Sequence, residues 1–131
     1  MVLSGAMTGP MEYDLQAIYS RDQLRELKEQ GYLSMNDETG RTRRVDGSIF
    51  QEFAHINQQE LCGSVSCPVL IIHGNDPTDR EEQLLVAQSR KALPLLPHGS
   101  KLEMVEGANH SLVKHFDRVI ALANDWYTKY L

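Results

Sequence analysis

From Cys67 to Gly74 the chain reads Cys-Pro-Val-Leu-Ile-Ile-His-Gly, a continuous apolar stretch opened by proline and closed by glycine. An apolar run without alternation predicts a strand buried on both faces, as in a parallel sheet. Leu84, Leu85, Ala87, Ala92 and Leu93 then recur at helical intervals. They predict a helix from about Arg80 to Leu93 that turns these residues inward, with Thr78 or Asp79 as its cap and Pro94 and Pro97 as its end. In Ser100-Lys-Leu-Glu-Met-Val-Glu-Gly107, apolar Leu102 and Met104 alternate with Lys101 and Glu103, which predicts a second strand. Val113, Phe116, Val119, Ile120, Leu122, Ala123, Trp126 and Tyr130 mark a last helix. Strand, helix, strand and helix with short joints predict right-handed crossovers and a parallel sheet, an α/β architecture.

The first half is less regular. Residues 1–10 are small and unpatterned and read as a tag-like or disordered end. Leu15, Ile18, Tyr19, Leu24 and Leu27 predict one or two short amphipathic helices, with Ser20 or Asp22 as a cap and Gly31 as a stop. Asn36-Asp37-Glu38-Thr39-Gly40 suits a hairpin or exposed loop. Ile49, Phe50, Phe53, Ile56 and Leu61 predict one helix within Val45 to Leu61. The expected division is thus residues 1–10, a helical segment 11–65 and an α/β segment 66–131.

With 131 residues, 41% hydrophobic and 24% charged, the chain can bury a core of its own without disulfides or a metal. The formal net charge of -5 gives no general attraction to nucleic acid or to an anionic membrane surface. Arg41, Arg43 and Arg44 form a small basic cluster beside Asp37, Glu38 and Asp46, read as a solvated loop. Cys62 and Cys67 lack zinc-ligand spacing and are expected to be free thiols. The apolar run Val69 to Ile72 is far too short to span a bilayer, so a cytoplasmic location is the default expectation.

In an open parallel sheet, reactive groups gather at the carboxyl ends of strands. Two loops fall there: His73-Gly74-Asn75-Asp76-Pro77-Thr78-Asp79 and Glu106-Gly107-Ala108-Asn109-His110. A carboxylate and an imidazole from adjacent strand ends can hydrogen-bond, the acid fixing the ring tautomer while the ring moves a proton. A metal site from His73, Asp76, Asp79 and His110 lacks compact ligand spacing, and no metal or cofactor is expected.

The segments Cys67-Pro-Val-Leu-Ile-Ile-His-Gly-Asn-Asp76 and Gly99-Ser-Lys-Leu-Glu-Met-Val-Glu-Gly-Ala-Asn-His-Ser-Leu112 resemble the last two strands of the α/β-hydrolase fold. The resemblance covers roughly Ser66 to Leu131. It implies a serine hydrolase of esters, amides or related acyl compounds, with His110 as the triad histidine. The family usually places the triad acid three residues after the strand glycine, where this chain has Pro77. Asp76, one residue early, is assigned as the acid, with Asp79 as the alternative, since Asp79 can equally be a helix cap. His73 is read as structural.

Chain order in that fold is serine, acid, histidine, with the serine in a Gly-x-Ser-x-Gly elbow. The sequence has no such elbow, and the oxyanion segment is absent with it. The resemblance then makes residues 12–61 lid-like and implies that the core strands preceding Met11 are missing. It also implies that the chain alone is inactive, its acyl substrate bound only when a nucleophile is supplied from elsewhere. Truncation would expose sheet edge, so a homo-oligomer or a complementing chain is the expected partner. The competing reading is a non-catalytic, self-associating module derived from a hydrolase.

Overall fold

The computed structural model describes residues 1–37 and 39–130. In chain order they form β1 (Val2–Ser4), α1 (Leu15–Ile18), α2 (Arg21–Gln30), β2 (Tyr32–Asn36), β3 (Thr42–Asp46), α3 (Ser48–Ala54), α4 (Gln58–Gly63), β4 (Leu70–Gly74), α5 (Arg80–Ala92), β5 (Lys101–Val105) and α6 (Phe116–Tyr130). These divide into two compact units, one of Met1–Pro10 with Asn57–Leu131 and one of Met11–Ile56. Helix α4, grouped by the sequence pattern with the N-terminal segment, belongs to the first of these.

The first unit is built on a three-stranded parallel sheet in the order β1, β4, β5. Strand β4 lies in the middle and is buried along its whole length, which is why its sequence is apolar apart from His73. Side chains alternate across it. Leu70 and Ile72 enter a core with Val105, Ala108, Leu112, Val119 and Trp126, the last two from α6. His73, on the other face, meets Glu82 and Ser89 of α5. The unit is a mixed α/β arrangement of a parallel sheet with helices against it.

Residues 1–10 correct the sequence expectation. Rather than a loose or tag-like end, Val2, Leu3 and Ser4 pair with Leu70, Ile71 and Ile72, so a core strand does precede Met11. Three residues are too few to show a period, and the ladder comes from β4, far along the chain. Helix α5 buries Leu85 and Ala92 of the face its leucines and alanines indicate, but not the rest. Its buried residues are Glu82, Leu85, Val86, Ser89 and Ala92, while Ala87 is exposed.

The Met11–Ile56 unit holds a two-stranded antiparallel sheet, β2 and β3, pairing Tyr32 with Asp46 through Asn36 with Thr42. Ser20 and Gln23 form a reciprocal capping box at the start of α2, and Gly31 ends it in the left-handed region at φ 77°. Asp37 Oδ1 accepts from Thr39 and Arg41 in the hairpin turn. The basic cluster is not a loop: Arg43 and Arg44 lie in β3, Arg43 on Asp37 and Arg44 over the Tyr32 ring at 4.6 Å. Glu38 lies outside the described residues. The single helix expected over Val45 to Leu61 is instead the end of β3, then α3 and α4, separated where Asn57 adopts an extended conformation and caps α4.

Candidate functional site

The carboxyl ends of β4 and β5 converge because Gly74 has no side chain. A Cβ there would stand 1.9 Å from the Ala108 carbonyl oxygen, so only glycine lets the loop after β5 cross the end of β4. The crossing is fixed by backbone and amide bonds. Asp76 N–H donates to Ala108 O at 3.0 Å. The Asn75 side chain accepts from Gly107 N–H at 2.7 Å and donates to Glu106 at 2.6 Å. Beyond His110, Leu112 adopts φ 55°, a sparsely populated conformation for a branched side chain. Its side chain is nonetheless buried in the core, which holds the strained turn in place.

Asp79 terminates the loop after β4 as the N-cap of α5. One carboxylate oxygen, Oδ1, accepts from Glu82 N–H at 3.0 Å. The other, Oδ2, accepts from His110 N–H at 2.9 Å and lies 2.8 Å from His110 Nδ1. The imidazole thus donates Nδ1–H to Asp79 and turns Nε2 outward, where Glu81 lies 3.9 Å away. Its side chain is 49% exposed, against 12% for Asp79. A ring pinned at Nδ1 with Nε2 accessible can exchange a proton with a bound molecule.

The structure brings His110 together with Asp79, the alternative acid, and leaves Asp76 apart. Asp76 Oδ1 is taken up by Thr78 N–H and Oγ1–H at 2.8 and 2.7 Å in a local turn. His73, read as structural, is fully buried between Glu82 and Ser89. Among the described residues no serine hydroxyl bonds to the His110 ring, and no group of three or more metal-ligating side chains is present. Nor is any described helix long and apolar enough to cross a membrane.

Electrostatics reinforce the pair. The hydrogen bond to Asp79 raises the His110 pKa against the opposing effect of burial, and the charges of Asp79, Glu81 and Glu82 add to the rise. For Asp79, burial alone would raise the carboxyl; the hydrogen bonds from Glu82 and His110 and the charge of His110 outweigh it and hold the pKa below the ordinary value. Asp76 is also lowered, chiefly by Thr78.

A parallel sheet with helices against it defines a mixed α/β fold, with Asp79 and His110 at adjacent strand ends. The crystal structure of "Putative hydrolase" from Agrobacterium vitis S4 is similar to this chain with a TM-score of 0.56 at 19% identity, over 95% of this chain. The chain spans about half, 48%, of the length of that protein. No protein-family model matches the sequence, and no curated protein matches it either.

Proposed function

We propose that this chain is the acid and histidine portion of a serine α/β-hydrolase acting on esters, amides or related acyl compounds. The observation that carries the reading is the Asp79 Oδ2 to His110 Nδ1 hydrogen bond across adjacent strand ends. His110 is the general base that takes the nucleophile's proton and returns it to the leaving group, and Asp79, in place of Asp76, orients it. The serine comes from residues outside this chain, consistent with the half-length match. The Met11–Ile56 unit stands in chain order where a lid is inserted, between the first strand and the acid strand.

Two measurements test this. By NMR titration, Asp79→Asn removes the upward displacement of the His110 pKa, whereas Asp76→Asn leaves it; the reverse outcome overturns the acid assignment. A fluorophosphonate probe labels nothing in the chain alone. Labelling that disappears in His110→Ala overturns the claim that the nucleophile lies elsewhere.

A second reading is a self-associating or complementing module without catalysis. It is favoured by the outer edge of β1 and by a cavity of about 290 Å³ lined mainly by apolar groups, among them Leu3, Met7, Leu61, Cys62, Val69 and Leu96. Light scattering decides: a concentration-independent monomer counts against it.

A further inference from the structure

Behind the exposed pair lies a second, buried row of polar groups. His73 Nδ1 is 3.0 Å from Glu82 Oε1, its Nε2 is 2.8 Å from Ser89 Oγ, and that hydroxyl is 2.8 Å from Thr8 Oγ1. Gly74 N–H also donates to Glu82 Oε1. A hydroxyl, an imidazole and a carboxylate in line repeat the connectivity of a catalytic triad, but Ser89, His73 and Glu82 are 0%, 0% and 1% exposed, so no substrate reaches the hydroxyl.

Stability alone is a poor account of this row. Glu82 Oε2 is buried without a hydrogen-bond partner, and a buried carboxylate with an orphan oxygen is no better for the fold than apolar residues of the same shape. Its placement is informative. The backbone N–H of Glu82 holds Asp79 Oδ1, the oxygen beside the one that takes His110. Its side chain holds Gly74 N–H, and Gly74 is the residue against which the Ala108 carbonyl is seated on the way to His110. One residue therefore ties both arms of the pair to the end of β4.

We infer that Glu82, clamped by His73, is a positioning residue that sets the Asp79 carboxylate and the Ala108–His110 loop in register with each other. The inference rests on the reading of Asp79 and His110 as the functional pair. Glu82 contacts no reacting atom and acts through Asp79 and Gly74. Replacement by Gln keeps an oxygen for Gly74 N–H and His73 Nδ1–H while removing the charge; replacement by Leu removes both.

The test is the His110 ring observed by NMR in the full chain, titrated in the wild type, Glu82→Gln and Glu82→Leu. The charged groups facing the ring are Asp79, Glu81 and Glu82. In the wild type, His110 titrates above the ordinary histidine range and its Nδ1 proton resonates downfield. Glu82→Gln lowers the titration point only by the lost charge and keeps the downfield proton. Glu82→Leu loses the proton signal and returns the ring to ordinary titration, while Trp126 fluorescence reports a folded chain. If Glu82→Leu unfolds, the double variant His73→Leu/Glu82→Leu, which strands neither member of the pair, is expected to fold with the same loss. Identical His110 behaviour in the Gln and Leu variants overturns the positioning role and leaves the pair intact. A wild-type His110 that titrates normally overturns the pair itself.

Discussion

Gly74→Ala is the sharpest perturbation of the site. The added Cβ would stand 1.9 Å from Ala108 O, 2.5 Å from Ala108 C and 3.0 Å from Asn109 O, all backbone atoms that no rotamer change can move. Ordinary contact begins near 3.4 Å, so the loop after β5 must retreat by about 1.5 Å, enough to stretch the 2.8 Å bond between His110 and Asp79 past hydrogen-bonding reach. Forcing a methyl into packed backbone costs about 1–3 kcal/mol. Loss of the Asp76 N–H to Ala108 O bond adds about 1 kcal/mol. The Asp79–His110 pair, with its ring half exposed and screened by solvent, adds at most about 1 kcal/mol. The expected destabilisation is about 2–5 kcal/mol, a large share of a small domain's typical 5–15 kcal/mol. Urea unfolding followed by the fluorescence of Trp126, the single tryptophan, measures it, with His110 titration as the companion readout. Gly63→Ala, at the end of α4 with nothing within 4 Å of its added Cβ, is the control and should be neutral or slightly stabilising. Equal stability and unchanged His110 titration in Gly74→Ala would refute the reasoning.

The remaining expectations follow from charge, burial and exposure. A raised folded pKa at His110 contributes stability that is complete below the unfolded value of about 6.5 and is lost as pH rises through the folded value. A lowered pKa at Asp79 contributes stability that is present above about 3.9 and is lost as pH falls through its folded value. The stability difference between wild type and Asp79→Asn should therefore be largest between about pH 4 and 6.5 and shrink on either side, as urea midpoints across pH will show. Cys67 is exposed, while Cys62 is buried with its thiol pKa pushed up by burial, so a thiol reagent should modify Cys67 rapidly and reach Cys62 only on unfolding. Trp126→Ala should cost about 3–5 kcal/mol, read by calorimetry, because Trp126 lies 5% exposed in the core beneath β4.

The sequence made the central strand plain because β4 is buried on both faces and its apolar run Val69 to Ile72, broken only by the hydrogen-bonded His73, is bounded by proline and glycine. The periodicity of the last helix marked α6 as well, although of the residues it named only Val119 and Trp126 are buried, Phe116 is exposed and Val113 precedes the helix. Burial by hydrogen bonding leaves no such pattern. Glu82 and Ser89 occupy the inward face of α5, yet their polarity marked them as outward. Asp79 illustrates a different limit. A helix cap and a histidine partner looked like alternatives, but a carboxylate has two oxygens, and this one uses Oδ1 for the first role and Oδ2 for the second. Strand β1 was invisible because its ladder partner lies in β4, beyond any local window.

The bond between the Gln58 side chain and the Thr8 carbonyl, 3.0 Å long, has a bearing on how this chain could be engineered. It holds side by side the two points between which the Met11–Ile56 segment leaves and rejoins the first unit. Gln58 also reaches the Gln88 carbonyl at 3.0 Å, so the junction is latched to α5 as well. A segment whose ends are held together by the host behaves as a cassette. Exchanging it for a short glycine-rich connector should leave the parallel sheet and the Asp79–His110 pair in place, and segments of other length or composition could be grafted at the same seam.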